Sequence, residues 1–168
     1  MTMSMYQASV PVFSRMLTNL ANCLAKAAKH CEEKKIDPNA LLGARLYPDM
    51  FPLTKQVQIA TDMAKGGVAR LAGQEPPVYE DGEKTFADLA ARIEKTIAFI
   101  NGFTPAQIDG SEEKDITLKM RSGERKFKGQ AYLQVFVQGN VYFHVTTAYA
   151  LLRHNGVDVG KNDYLGPY

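Results

Sequence analysis

The 168-residue chain has no tryptophan and only two cysteines. A disulfide-held scaffold needs several cysteine pairs, so that class is excluded. Cys23 and Cys31 fall on one helical pattern, with a rise between them of roughly 12 Å. A disulfide needs Cα atoms within about 7 Å, so the two cannot pair inside one helix. They read as reduced packing residues of a cytoplasmic protein. An excess of one charge is also lacking. Lys and Arg number 20 against 18 Asp and Glu, a net charge of +2. That is too little for a nucleic-acid binder held by bulk charge. No run reaches the roughly 18 apolar residues of a membrane span. No basic residue precedes Arg15 and no long apolar core follows the start, so no signal peptide is expected. Disorder is excluded as well, because 45% of the residues are apolar. The length predicts one domain over residues 1–168.

What is present is helical periodicity. Met3, Tyr6, Val10, Phe13, Leu17, Leu20, Leu24, Ala27 and Cys31 recur at spacings of three and four, the pattern of a helix seam. Pro11 interrupts it and predicts a kink or a late start. Asp37-Pro38 reads as an N-cap followed by proline at the first helical position, opening a short helix to Gly43. A loop over Ala44–Phe51 carries Tyr47 and Asp49. The second long helix runs from Pro52 to Gly73 on Leu53, Val57, Ala60, Ala64, Val68 and Leu71. Gly66 and Gly67 cost about 1 kcal/mol each in helix propensity, which a close helix crossing would offset. The linker Gln74–Lys84 is rich in proline, glycine and acid. Thr85 and Asp88 form a capping box for a third helix on Phe86, Leu89, Ile93, Ile97 and Ile100, ended by Gly102. Asp115–Met120 and Glu124–Lys128 flank Ser122-Gly123 as a small β-hairpin. The fourth helix spans Gln130 to Asn155, with Gly156 as its stop. The tail from Val157 should be irregular. The fold class is therefore all-α: a four-helix bundle with a short extra helix and a hairpin before the last helix.

One seam breaks its own rule. Along the fourth helix it reads Leu133, Val137, Asn140, His144, Thr147 and Leu151. A buried polar group must find a partner or costs about 1–3 kcal/mol. Three in succession point to a polar pocket or a hydrogen-bond network. Asn140 and His144 are one turn apart on one face and suit joint contact with a ligand. On the second helix Gln56 lies at the edge of the apolar face, while Gln58 points away from it. Gln56 can therefore approach the same zone. Tyr47 and Asp49 join the candidate lining if their loop folds over the bundle end. Gln and Asn are weak ligands for a transition metal, so these residues form a poor metal set on chemistry alone.

The blocks YPDMFPLTKQVQIATDMAKGGVARLAG and YFHVTTAYALLRHNGVDVGKNDYLG, with MYQASVPVF near the start, resemble the domain-of-unknown-function family 1993. That family is similar to the DinB/YfiT-like superfamily of four-helix bundles. The resemblance spans nearly the whole chain and implies the bundle fold without assigning a reaction. Members of the wider superfamily hold a divalent metal on three histidines, one from helix two and an HxxxH pair from helix four, and some act in thiol transfer. Counted back from Gly156, His144 falls at the second histidine of that pair and Asn140 at the first. Gln56 falls at the helix-two position, with Gln58 as the alternative. The resemblance thus implies a degenerate zinc or nickel site that keeps one ligand of three.

Other signals are weaker. Gly156 to Lys161 has the wrong spacing for a phosphate loop and follows a helix instead of opening one. The hairpin cations Lys119, Arg121, Arg125, Lys126 and Lys128 lack interleaved aromatics and read as a solvated face. His30 and His154 read as surface or helix-end residues. Tyr142, Phe143 and Tyr149 flank the seam and would favour a homodimer if exposed. Three functional readings follow. The first is a small-molecule-binding protein using Gln56, Asn140, His144, Thr147, Tyr47 and Asp49. The second is a metal-dependent hydrolase or thiol-transferase-like enzyme with His144 as catalytic base or metal ligand. The third is a structural or interaction dimer whose polar seam sets helix register.

Overall fold

A computed structural model describes residues 3–120 and 123–167. Helix α1 spans Val10–Lys34 and carries Pro11 in its first turn, where no donor is lost. The late start is thus the outcome of Pro11, and Met3, expected on the seam, is exposed. Asp37 caps α2 (Pro38–Leu42) by accepting from the Asn39 N–H at 3.0 Å. Helix α3 is Leu53–Leu71 and α4 is Phe86–Asn101. The capping box of α4 is formed as expected, with Thr85 Oγ1 accepting from Asp88 N and Asp88 Oδ2 from Thr85 N. A short α5 (Pro105–Ile108) precedes the antiparallel hairpin of β1 (Asp115–Met120) and β2 (Gly123–Lys128). Arg121 and Ser122, expected in the hairpin turn, lie outside the described residues. Then come α6 (Gly129–Ala131), a π-helical stretch (Tyr132–Val137) and α7 (Gln138–His154).

The packing order is α1–α4–α3–α7, closing back on α1. Side-chain bonds give the directions. Ser14, near the start of α1, donates to Asn101 at the end of α4. Gln138, at the start of α7, donates to the Ala8 carbonyl, while Lys26 reaches Asp158 beyond the end of α7. Gln56 and Gly67 of α3 meet His144 and Val137 in reverse order. The bundle is therefore up-down-down-up, with α3 and α4 parallel. The linker after α3 must return along the bundle before α4 can begin. It does so over α3, where Tyr79 meets Lys65, Asp81 meets Lys55, and Glu83 meets Gln58.

The core is filled by Phe13, Leu17, Leu20 and Leu24 of α1, Val57, Ala60 and Val68 of α3, Leu89, Ile93 and Ile100 of α4, and Val141, Val145 and Ala148 of α7. Each larger side chain contributes about 1.5–3 kcal/mol by leaving water. The expected close crossing is present, because a Cβ on Gly67 would stand 2.5 Å from a Val137 methyl. Three expectations are corrected. The tail is not wholly irregular: α8 (Lys161–Leu165) packs on α1, with Asp163 paired to Lys26. Gln58 is buried, because the returning linker covers it. The last helix is not α-helical throughout, and its π-helical stretch changes which residues face α3. No helix among the described residues is long and apolar enough to cross a membrane.

Candidate functional site

Gln56 sits in the first turn of α3, behind a loop held by its own backbone. Leu53 N–H donates to the Ala44 carbonyl, and Arg45 reaches the Met50 carbonyl at 2.6 Å. The Gln56 amide nitrogen donates to the Phe51 carbonyl at 3.0 Å. Its Oε1 is thereby turned towards α7, where it stands 2.7 Å from His144 Nδ1. An amide oxygen only accepts, so Nδ1 carries the proton and Nε2 keeps its lone pair. Burial lowers the imidazole pKa below its ordinary 6.5, so the ring is neutral at physiological pH. The Phe143 ring meets the imidazole edge-on at 5.1 Å. Phe143 is 57% exposed and Phe51 is 52% exposed, whereas His144 is 8% exposed.

The other sequence-predicted residues do not join this pair. Asn140 is half-buried and turns back on its own helix, donating to the Phe136 carbonyl at 2.7 Å. Thr147 is buried and donates to the Phe143 carbonyl one turn earlier. Both polar groups are satisfied locally, so the polar seam is one cross-helix bond and two local ones. Tyr47 and Asp49 are exposed on the loop before α3 and make no hydrogen bond to the pair. His30 is half-buried and His154 exposed. Tyr149 packs under Tyr164 of α8, while Tyr142 is partly exposed.

Residues 5–165 match the family described as Domain of unknown function (DUF1993). The chain belongs to the DUF1993 family. A DinB family member protein from Shewanella denitrificans, known from a crystal structure, is 42% identical. It superposes with a TM-score of 0.89, over 97% of this chain and 92% of that one. No curated protein matches the chain. The bundle of this DUF1993 chain is therefore of the DinB-like kind.

The residues at the metal positions do not fit a zinc or nickel ion. Among the described residues, no three His, Cys, Asp or Glu side chains converge, and such an ion wants three or four of these donors. His144 offers one ring nitrogen, Nε2, while the other two positions hold amides, Gln56 and Asn140, that are weak ligands and are engaged with Phe51 and Phe136 carbonyls.

A second polar cluster escaped the sequence reading. Arg92 is buried on the inner face of α4, with Nε donating to Thr61 and Nη2 to Asp62. Nη1 reaches the Glu80 carbonyl, Glu83 and Asp81. Burial works against the charged carboxylates of Asp81 and Glu83. Lys55 and Arg92 outweigh it for Asp81, and Arg92 and Gln58 for Glu83, so both pKa values fall below ordinary. The Tyr79 ring lies against Lys65 at 3.6 Å and Lys95 at 4.2 Å. A cavity of about 640 Å³ opens here beside Tyr79, Glu83, Arg92 and Lys95, away from His144. The signal was the spacing Leu89, Arg92, Thr96, Ile100, which puts an arginine on an apolar seam. The ion pairs consume Arg92 and tie the linker down, so this cluster is a fastening.

Proposed function

We propose that this protein binds a small, largely apolar organic molecule that carries one hydrogen-bond donor. The supporting observation is His144 itself. Its ring is held in one orientation by Gln56, and Nε2 keeps a lone pair with no hydrogen-bond partner among the described residues. The half-exposed Phe143 ring lies beside it, and Phe51 begins the same chain of bonds. A neutral acceptor beside aromatic surface favours a donor-bearing ring compound over an anion, and the lack of further His, Cys, Asp or Glu donors beside it among the described residues disfavours a metal.

Phenol and indole, titrated into ¹⁵N-histidine-labelled protein, test this. The expected result is a saturable shift of the His144 Nε2 resonance, lost in His144→Ala and retained in His154→Ala. No shift with either probe, or an equal response in His144→Ala, overturns it. Zinc or nickel binding at one equivalent, lost in His144→Ala, overturns it in favour of the metal-enzyme reading.

A second reading is favoured by one observation. Val135, Tyr142 and Phe143 are exposed near or on α7, and apolar surface of this kind suits pairing with a second copy. Sedimentation velocity distinguishes the two. A dimer weakened by Tyr142→Glu supports the interaction module, and a monomer at all accessible concentrations removes it.

A further inference from the structure

The π-helical stretch lies between two contacts that the last helix makes with α3. At one end Tyr132 is 1% exposed, and its hydroxyl lies 3.4 Å from the Gly66 carbonyl and 3.3 Å from Arg70 Nη1. At the other end His144 meets Gln56 at 2.7 Å. In an uninterrupted α-helix the twelve positions from Tyr132 to His144 accumulate about 1,200° of turn, so the two side chains point roughly 120° apart. They could not both face α3. The six residues Tyr132–Val137 follow the wider π spiral, in which each step turns roughly 18° less. Over six residues that removes about 110° and returns both side chains to nearly one face.

The same arithmetic explains an exchange of neighbours. Regular α-helical phasing puts Leu133 in line with His144 and Tyr132 to one side. With the π turns, Tyr132 faces α3, and Leu133 remains in the core beside it. Two features hold the wider spiral open. Gly67 has no side chain where Val137 approaches, since a Cβ there would lie 2.5 Å from a Val137 methyl. Tyr132 also stacks with Phe136 and meets Phe127 of the hairpin, with centroids 5.9 and 5.8 Å away.

We infer that the π-helical stretch Tyr132–Val137 is a phase corrector that lets Tyr132 and His144 engage α3 together, making Tyr132 a positioning residue for the imidazole. Its functional weight rests on the binding role proposed for His144, but its test needs no ligand. Val135 is 75% exposed, so deleting it shortens the spiral by one residue without emptying the core. The ¹⁵N signature of the His144 ring reports the Gln56 bond, and the Tyr132 ring resonances report its seat beside Gly66. In the deletion variant eleven positions of regular α-helix, about 1,100°, separate Tyr132 from His144 and leave them within roughly 20° of one face, so the π spiral is expected to close to α-helix with both signatures kept, as in Val135→Ala. A folded deletion variant that loses either signature overturns the inference. Should the deletion prevent folding, Gly67→Ala presses on Val137 at constant chain length and is expected to move both signatures. Unchanged signatures in Gly67→Ala overturn the inference equally.

Discussion

At the scale of single residues, the chemistry rests on one bond. Gln56 holds the His144 Nδ1 proton, and its own amide nitrogen is anchored to the Phe51 carbonyl. Gln56→Leu leaves that proton without a partner in a buried setting, which should cost about 1–3 kcal/mol in urea denaturation. Burial lowers the His144 pKa, and this fixes the direction of a pH effect. Below the ordinary value of about 6.5 the unfolded chain takes up a proton that the folded ring refuses. The ring's contribution is therefore complete above that value and is lost as pH falls through the folded pKa. Denaturation curves between about pH 7 and 5 should show this loss, and in His144→Gln the slope should shrink. The cysteines make a separate case. Burial, with Asp163 nearby, pushes Cys23 up to about 11 despite the opposing effect of Lys26. Burial also raises Cys31, with a smaller effect from Asp37. Both thiols should resist a disulfide reagent in the native state and react after unfolding.

At the scale of elements, the glycines of the α3–α7 contact separate two kinds of space. A Cβ on Gly67 meets Val137 at 2.5 Å, whereas one on Gly139 meets nothing within 4 Å. Gly67→Ala should therefore destabilise the protein by about 1–3 kcal/mol. Gly139→Ala, on an exposed helical face, should stabilise it by up to about 1 kcal/mol. Thermal denaturation of the pair checks both signs. This contact also marks where the sequence was legible. The seams of α1 and α3, the Asp37 cap and the Thr85–Asp88 box all follow from local spacing, and all are present. The pairing of Gln56 with His144 was legible too, because both lie on faces turned to a neighbouring helix. Asn140 and Thr147 were not legible in the same way. A side chain that bonds back to its own helix leaves the same mark in the seam as one that reaches across it. The π turns were hidden for a related reason. A six-residue change of pitch keeps the apolar residues at ordinary spacings and only exchanges Leu133 for Tyr132.

At the scale of the molecule, the up-down-down-up order requires a long return between two parallel helices, and the linker Gln74–Lys84 supplies it. Arg92 holds that return by bonding Asp62, Asp81 and Glu83 at once. Arg92→Met leaves Glu83, the most buried of the three, without its cation, while Lys65 and Lys55 still pair with Asp62 and Asp81, and should cost about 1–3 kcal/mol. It should also open the linker to limited proteolysis before the helices are cut. Asp81 and Glu83 titrate below their ordinary values. Their contribution is complete above the usual carboxylate range and is lost as pH falls through the folded pKa values. Acid should therefore loosen the linker in the native protein, with less effect in Arg92→Met. The bundle thus uses two polar devices for different ends. The Arg92 cluster satisfies every member and fastens the chain. The His144 pair leaves one ring nitrogen uncommitted.

The most direct measurement is the ¹⁵N spectrum of the three histidine rings at neutral pH, before and after one equivalent of zinc or nickel. The expected result is one ring protonated at Nδ1 with Nε2 unprotonated, lost in Gln56→Leu and unmoved by the metal. A His144 ring protonated at Nε2, or one that shifts stoichiometrically with the metal, would contradict it.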